Sequence, residues 1–179
     1  MTQHRRIALV TGANQGVGLQ LAKQLVANGV TVLLGSRNLE RGEAAAQGIG
    51  PGAVPIQIDV MDRASIAAAA ERIGTEFGRL DLLVNNAAIS TTSKAHTPLA
   101  DYAKTAVASI VDMDEVRAIW ETNVFGPLAV YQAMLPLLRL STDARIVNVS
   151  SGVGSLSANA NPAFPYRGLF APGYAASKA

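Results

Sequence analysis

The sequence predicts an α/β fold, a doubly wound parallel sheet. Three observations lead there. Short apolar runs rich in β-branched residues alternate along the chain with longer segments of helical periodicity. The runs lack polar alternation, which marks strands buried on both faces and therefore parallel. Parallel neighbours need crossover connections, and these are right-handed almost without exception, so the alternation leads to a doubly wound arrangement. Finally, 179 residues with 49% hydrophobic content suffice to bury a core, and the length fits one domain, residues 1–179, better than two.

The first strand is the apolar run at residues 7–11, followed by a glycine loop. Val17, Leu21 and Leu25 then recur at helical spacing until Asn28-Gly29 supplies a stop. Residues 31–34 form a second strand and the alanine-rich residues 37–49 a second helix. Residues 54–58 form a third strand. After it, Ile66, Ala70, Ile73 and Phe77 share one helical face, with Asp62 as N-cap and Gly78 as terminator. Residues 80–85 and 146–149 read as the fourth and fifth strands, both buried. Between them lies a long helical stretch that Asp112 or Asp114 begins. Val116, Ile119 and Trp120 give it an apolar face, and Gly126-Pro127 bends it before Leu140.

Composition narrows the function. There is no cysteine, which removes disulfide scaffolds, thiolate metal sites and cysteine nucleophiles, and His4 and His96 are too few for a histidine-rich metal centre. A formal charge of +2 with only 16% charged residues provides no basic stripe for nucleic acid. His4-Arg5-Arg6 before the first apolar run imitates a signal peptide, but Asn14 and Gln15 interrupt the run early. No run approaches the length of a transmembrane helix. The expectation is a cytoplasmic protein with a small-molecule partner, no membrane or nucleic-acid partner and no metal, and an oligomer is allowed.

Two constellations carry chemistry. Gly12, Gly16 and Gly18 lie between a strand and a helix, where absent side chains permit a tight turn and bring N–H groups of Asn14, Gln15, Gly16 and Val17 towards a pyrophosphate at the helix N-terminus. The spacing G-x-x-x-G-x-G departs from the G-x-G-x-x-G dinucleotide fingerprint. After the second strand, Ser36 and Arg37 present a hydroxyl and a guanidinium where a carboxylate would select NAD, so NADPH is the expected cofactor and NAD the less favoured. Near the other end, Tyr174 and Lys178 stand four residues apart, a phenol beside an ammonium on one helical face. Such a pair can protonate a carbonyl oxygen as hydride reaches its carbon.

Taken together, Thr11-Gly12 to Gly18, Asn85-Asn86-Ala87-Ala88, Asn123, Ser150-Ser151 and Tyr174-x-x-x-Lys178 resemble the short-chain dehydrogenase/reductase pattern over nearly the whole chain. Asn38-Leu39-Glu40-Arg41-Gly42 and the stretch from Glu121 to Gly126 look most like its NADPH-dependent carbonyl-reductase branch. The resemblance implies a Rossmann-type fold and catalysis by Asn123, Ser151, Tyr174 and Lys178. Tyr174 would be the general acid/base. Lys178 would favour its phenolate and bond the nicotinamide ribose, Ser151 would bond the substrate carbonyl, and Asn123 would bend its helix and hold a water linked to Lys178. It also implies adenine contacts from Asp59 and Val60, and cofactor contacts from Asn86 and Ala87. Ser150 is the competing serine, with local capping or packing as its alternative role. Ala88 stands where the family usually has glycine.

The segment between Ser151 and Tyr174, with Phe164, Tyr166 and Phe170, reads equally as part of a substrate pocket or as a surface loop. Residues 90–97 are rich in serine and threonine and read as solvent-facing. Family members continue beyond the position of Ala179, so the expectation is a C-terminally incomplete domain, with the fifth strand as a bare edge and the catalytic helix cut short. Three functions fit: a reductase of a ketone or aldehyde working reversibly, a catalytically silent nucleotide-binding or assembly protein, and an epimerase or dehydratase that retains its nicotinamide.

Overall fold

The computed structural model describes residues 5–92, 101, 104 and 106–179; His4, His96 and residues 93–97 of the Ser/Thr-rich stretch lie outside them. In chain order the elements are β1 (Ile7–Val10), α1 (Gly16–Ala27), β2 (Thr31–Ser36), α2 (Leu39–Ile49), β3 (Ala53–Gln57), α3 (Arg63–Phe77), β4 (Leu82–Asn85), α4 (Met113–Trp120), a π-helical segment (Glu121–Phe125), α5 (Gly126–Leu138), β5 (Arg145–Asn148), α6 (Leu156–Ala160) and α7 (Tyr174–Ser177). The chain forms two compact units. One is Met1–Ala87 with Pro127–Val149, and the other is Ala88–Gly126 with Ser150–Ala179.

The first unit holds a five-stranded sheet, ordered β3-β2-β1-β4-β5 and parallel throughout. Alternation along β1 assigns its side chains to two cores. Ile7 and Leu9 join Leu33, Ile56, Ile73, Leu83 and, from α5, Val130, Met134 and Leu138. Ala8 and Val10 join Val32, Leu34, Val84 and, from α1 and α2, Ala22 and Ala46. Each fully buried Leu, Ile or Val contributes about 1.5–3 kcal/mol. Because both faces of the sheet are covered, the central strands read as continuous apolar runs in the sequence.

Local signals set several boundaries as expected. Asp62 caps α3 by accepting from Ala64 N–H at 2.9 Å, and Gly78 ends it with φ +73°. Helix α2 begins at Leu39 rather than at residue 37, because Asn38 accepts from Arg41 N–H and becomes the N-cap. Pro55 in β3 is tolerated because β3 ends the sheet; its carbonyl takes a 2.9 Å bond from the Arg72 guanidinium.

Three expectations are corrected. Val17 does not lie on the buried face of α1: it is 70% exposed, and Gly18 and Ala22 carry the packing, since only small residues fit against the loop. The run at residues 146–149 is not buried, with Ile146 44% and Val147 45% exposed; β5 pairs with β4 alone among the described strands and is the bare edge expected from the family resemblance. The third correction concerns the helix break. It falls at Glu121–Phe125, where Gly126 N–H bonds the Glu121 carbonyl in π fashion, just before the Gly126-Pro127 step. Pro127 has no N–H for the carbonyl four residues earlier, and a widened turn accommodates this loss.

At the N-terminal edge of the sheet Asp81, 5% exposed, joins three elements. It accepts from Ile7 N–H at 2.8 Å, from Arg79 Nε at 3.0 Å and from the Ser141 hydroxyl at 2.6 Å. Burial by itself would raise the Asp81 carboxyl, but the Ser141, Ile7 and Arg79 bonds and the Arg79 charge outweigh it and hold the carboxyl below its usual value.

Candidate active site

In the first unit the glycine loop is held from beneath by one threonine and one asparagine. Thr11, 1% exposed, accepts at Oγ1 from Asn86 N–H and Ala87 N–H, both at 3.0 Å. Asn86 Nδ2 donates back to the carbonyls of Thr11 at 2.9 Å and Gly12 at 3.1 Å. The loop therefore rests on the end of β4, and its glycines are where this close approach demands them. Gly12 has φ +62°, and a Cβ there would stand 2.9 Å from Ala87 Cα. A Cβ on Gly18 would stand 2.5 Å from Asn86 Nδ2 and 2.6 Å from the Gly12 carbonyl oxygen. Around Gly16, φ +58°, nothing lies within 4 Å of that position, so the entrance to α1 is open. The first-turn N–H groups of α1 have no intrahelical acceptor, which is the donor set a pyrophosphate needs. Gln15, Gly16 and Val17 are exposed there, and Asn14 is half-buried.

Around the end of β2, Ser36 is buried and its hydroxyl donates to the Asn38 carbonyl at 2.8 Å, while Arg37 is exposed. Arg37, Leu39, Gln57, Asp59, Ser65 and Arg72 are among the residues lining a cavity of about 600 Å³. Asp59 is fixed as a turn residue, with its N–H on Ser65 Oγ and its carboxylate accepting from Met61 N–H. Val60 is buried. Asn85 joins β4 to β5 through Asn148 at 2.8 Å, and its Oδ1 is buried without a partner among the described residues.

The second unit contains all four expected catalytic residues: Asn123, Ser151, Tyr174 and Lys178. Asn123, 6% exposed in the π-helical segment, has its amide fully engaged. Its Oδ1 accepts from Ile89 N–H at 2.9 Å, and its Nδ2 donates to the Ile89 carbonyl at 2.8 Å and to Ser177 Oγ at 2.9 Å. A side chain so occupied leaves its own backbone carbonyl, deprived of the usual donor by Pro127, as the group suited to a water.

Tyr174 opens α7, and Lys178 is the C-cap, its N–H bonding the Ala175 carbonyl at 3.1 Å. Three contacts seat this turn. Trp120 Nε1 donates to the Pro172 carbonyl at 3.0 Å, Gly173 packs on Ile119, where a Cβ would stand 2.9 Å from Cδ1, and Gly154 packs on the Lys178 carbonyl. Burial pushes the Lys178 ammonium below the usual lysine value. The two neighbouring serines differ. Ser150 donates to the Lys178 carbonyl at 2.7 Å, whereas the Ser151 hydroxyl, like the Tyr174 phenol, makes no hydrogen bond with the chain among the described residues.

A match to the short chain dehydrogenase model spans residues 6–179. The chain belongs to this family. Similarity to individual short-chain dehydrogenases points the same way. (−)-Isopiperitenone reductase of Mentha piperita is 38% identical over 187 residues, covering 87% of this chain and 60% of the relative. Salutaridine reductase of Papaver somniferum is 36% identical, covering 85% of this chain and 56% of the relative. Among solved structures, menthone neomenthol reductase from Mentha piperita aligns with a TM-score of 0.75 at 32% identity, covering 92% of this chain and 70% of that one. The chain thus spans somewhat more than half the length of those two curated relatives.

The sequence reading gave no site role to the residues that hold the turn bearing Tyr174 and Lys178 in place: Ser177, Gly154 and Trp120, the last read only as part of an apolar helix face. Only Ser177 carried a signal, as a hydroxyl three residues after Tyr174 in the same turn. In the segment before α7, Phe164 and Tyr166 pair edge to face at 5.7 Å, and Tyr166 and Phe170 are exposed. Ser90 and Thr92 are exposed, whereas Thr91 donates to Glu115 at 2.6 Å. Among the described residues no cluster of His, Asp or Glu is arranged to hold a metal ion, and no helix is long and apolar enough to cross a membrane.

Proposed function

We propose that the protein is a cytoplasmic NADPH-dependent reductase of a ketone or aldehyde, running equally in reverse on the alcohol, with residues 1–179 acting as one dinucleotide-binding and catalytic domain. The observation that carries the reading is the contrast in hydroxyl commitments. The Ser150 and Ser177 hydroxyls are bound to the chain, while the Ser151 hydroxyl and the Tyr174 phenol make no bond among the described residues. Two uncommitted hydroxyls and a partly buried ammonium within one unit suit a carbonyl oxygen that gains charge and then a proton.

The residues present fit the dinucleotide. The open entrance to α1 at Gly16 and the crowding that excludes side chains at Gly12 and Gly18 match a pyrophosphate cradle. Arg37 would hold a 2′-phosphate through charge-assisted bonds, and Gly35-Ser36-Arg37 contains no carboxylate to repel one. Asp59 and Val60 would border the adenine, and Asn86 and Ala87 the adjoining part of the cofactor. When bound, reduced nicotinamide supplies the hydride.

In this reading Ser151 donates a hydrogen bond to the substrate oxygen, and Tyr174 delivers its phenolic proton to that oxygen. Lys178 re-supplies the proton. Burial lowers its hold on the proton at Nζ, so it gives the proton up more readily than an exposed lysine. The Asn123 carbonyl supports the water that connects Lys178 to solvent. Relatives named as reductases support the assignment to a reductase.

The test is NADPH consumption by the purified protein with a panel of cyclic and open-chain ketones and aldehydes, alongside Tyr174→Phe. The substitution should cut kcat by about a hundredfold or more, the scale of a lost general acid, with NADPH binding retained. Undiminished turnover by Tyr174→Phe would refute the mechanism.

A further inference from the structure

The Ser177 hydroxyl stands between two groups that the proposed reaction needs held still. It donates to the Tyr174 carbonyl at 2.7 Å and accepts from Asn123 Nδ2 at 2.9 Å. The Asn123 amide is itself locked in both directions to the Ile89 backbone and buried at 6% exposure. One hydroxyl thus connects the segment after β4, the π-helical segment and the turn that carries Tyr174 and Lys178. The tie between this turn and the π-helical segment thus runs through a side chain, and the Tyr174 carbonyl and the Asn123 amide share the one Ser177 oxygen.

We propose that Ser177 is a positioning residue: it couples Asn123 to the turn bearing Tyr174 and Lys178 and sets the direction in which the phenol points. The inference rests on the reductase reading for its kinetic consequence, but the link itself is structural and is measurable without turnover. A positioned proton donor loses rate steeply with small displacements, whereas cofactor binding by the glycine loop does not use this hydroxyl. Threonine keeps the oxygen and so keeps the link; alanine removes it. Both substitutions leave the Asn123–Ile89 bonds in place.

The test compares wild type with Ser177→Ala and Ser177→Thr in two measurements. In the NMR spectrum the Asn123 side-chain amide pair, assigned by its disappearance in Asn123→Asp, has a bonded acceptor for each proton. In Ser177→Ala one proton should move upfield and exchange faster, and Ser177→Thr should restore it. In kinetics, Ser177→Ala should lower kcat roughly ten- to a hundredfold with KM and NADPH Kd nearly unchanged. Ser177→Thr should recover to within about threefold of wild type.

An Asn123 amide pair unchanged by Ser177→Ala overturns the link, as does a threonine variant as slow as the alanine one. A loss of NADPH affinity equal to the loss of rate would mean general disorder and overturns the positioning role. A wild-type chain that consumes no NADPH with any carbonyl compound counts against the reductase reading, and the amide signal then decides the Ser177 link by itself.

Discussion

Replacing Asp81 with asparagine should destabilise the fold by about 2–3 kcal/mol at neutral pH, and the estimate follows from its three bonds. The side chain is 8% exposed, and its oxygens serve Ile7 N–H, Arg79 Nε and the Ser141 hydroxyl. Asparagine keeps one oxygen, which suffices for Ile7. Its amide nitrogen then faces Ser141, which can rotate to accept, at a cost of about 1 kcal/mol for the weaker neutral bond. It also faces Arg79, whose guanidinium loses its charged partner. That side chain is 30% exposed and keeps its bond to the Arg5 carbonyl, so we assign the loss about 1–2 kcal/mol, well below the roughly 3–5 kcal/mol of a fully buried pair. The assay is urea unfolding of both proteins, and the midpoint in a thermal scan should fall by roughly 5–10 °C.

The pH dependence gives the same reasoning a second check. The folded carboxyl titrates below its unfolded value of 3.8. Its contribution is therefore present in full above that value and is lost as pH falls through the folded pKa. The stability gap between wild type and Asp81→Asn should be constant through the neutral range and close below about pH 4. A gap under about 0.5 kcal/mol at neutral pH, or one that persists undiminished in acid, would refute the account of Asp81 as a charged hub.

Gly18→Ala places its Cβ against Asn86 Nδ2 and the Gly12 carbonyl. It should cost about 1–3 kcal/mol in stability and weaken NADPH binding about tenfold, measured by fluorescence titration, because the loop must lift from the end of β4. Gly154→Ala pushes on the Lys178 carbonyl, whereas nothing lies within 4 Å of a Cβ on Gly152. Turnover should therefore drop about tenfold in Gly154→Ala and stay near wild type in Gly152→Ala, and equal effects would show that this packing is irrelevant to the turn.

Much of the fold was legible because its signals are local. The Asp62 cap and Gly78 stop of α3, the Asn28-Gly29 end of α1 and the apolar runs of β1 to β4 follow from backbone preferences and periodicity within a few residues. The exposure of β5 was not legible in its own residues, because Ile146 and Val147 are as apolar as those of a buried strand; only the family resemblance pointed to an edge there, and strand order makes it one. The break at Glu121–Phe125 was displaced from the Gly126-Pro127 signal because it lies in the turn that gives way when Pro127 withholds its N–H. Val17 fits the helical repeat yet faces out, since the loop's approach to Asn86 chooses Gly18 for the inner face.

For the site, the sequence by itself determined the inventory: a glycine loop between strand and helix, an arginine after the second strand, and serine, tyrosine and lysine in the order the family uses. It determined these because chemistry depends on residue type and local spacing. The tertiary structure decided which groups are available. It commits the Ser150 hydroxyl to the Lys178 carbonyl and leaves the Ser151 hydroxyl without a bond among the described residues, and it draws Ser177 and Asn123 together across more than fifty positions of sequence. Hydrogen-bond commitment is a property of neighbours in space, and no pattern along the chain encodes it.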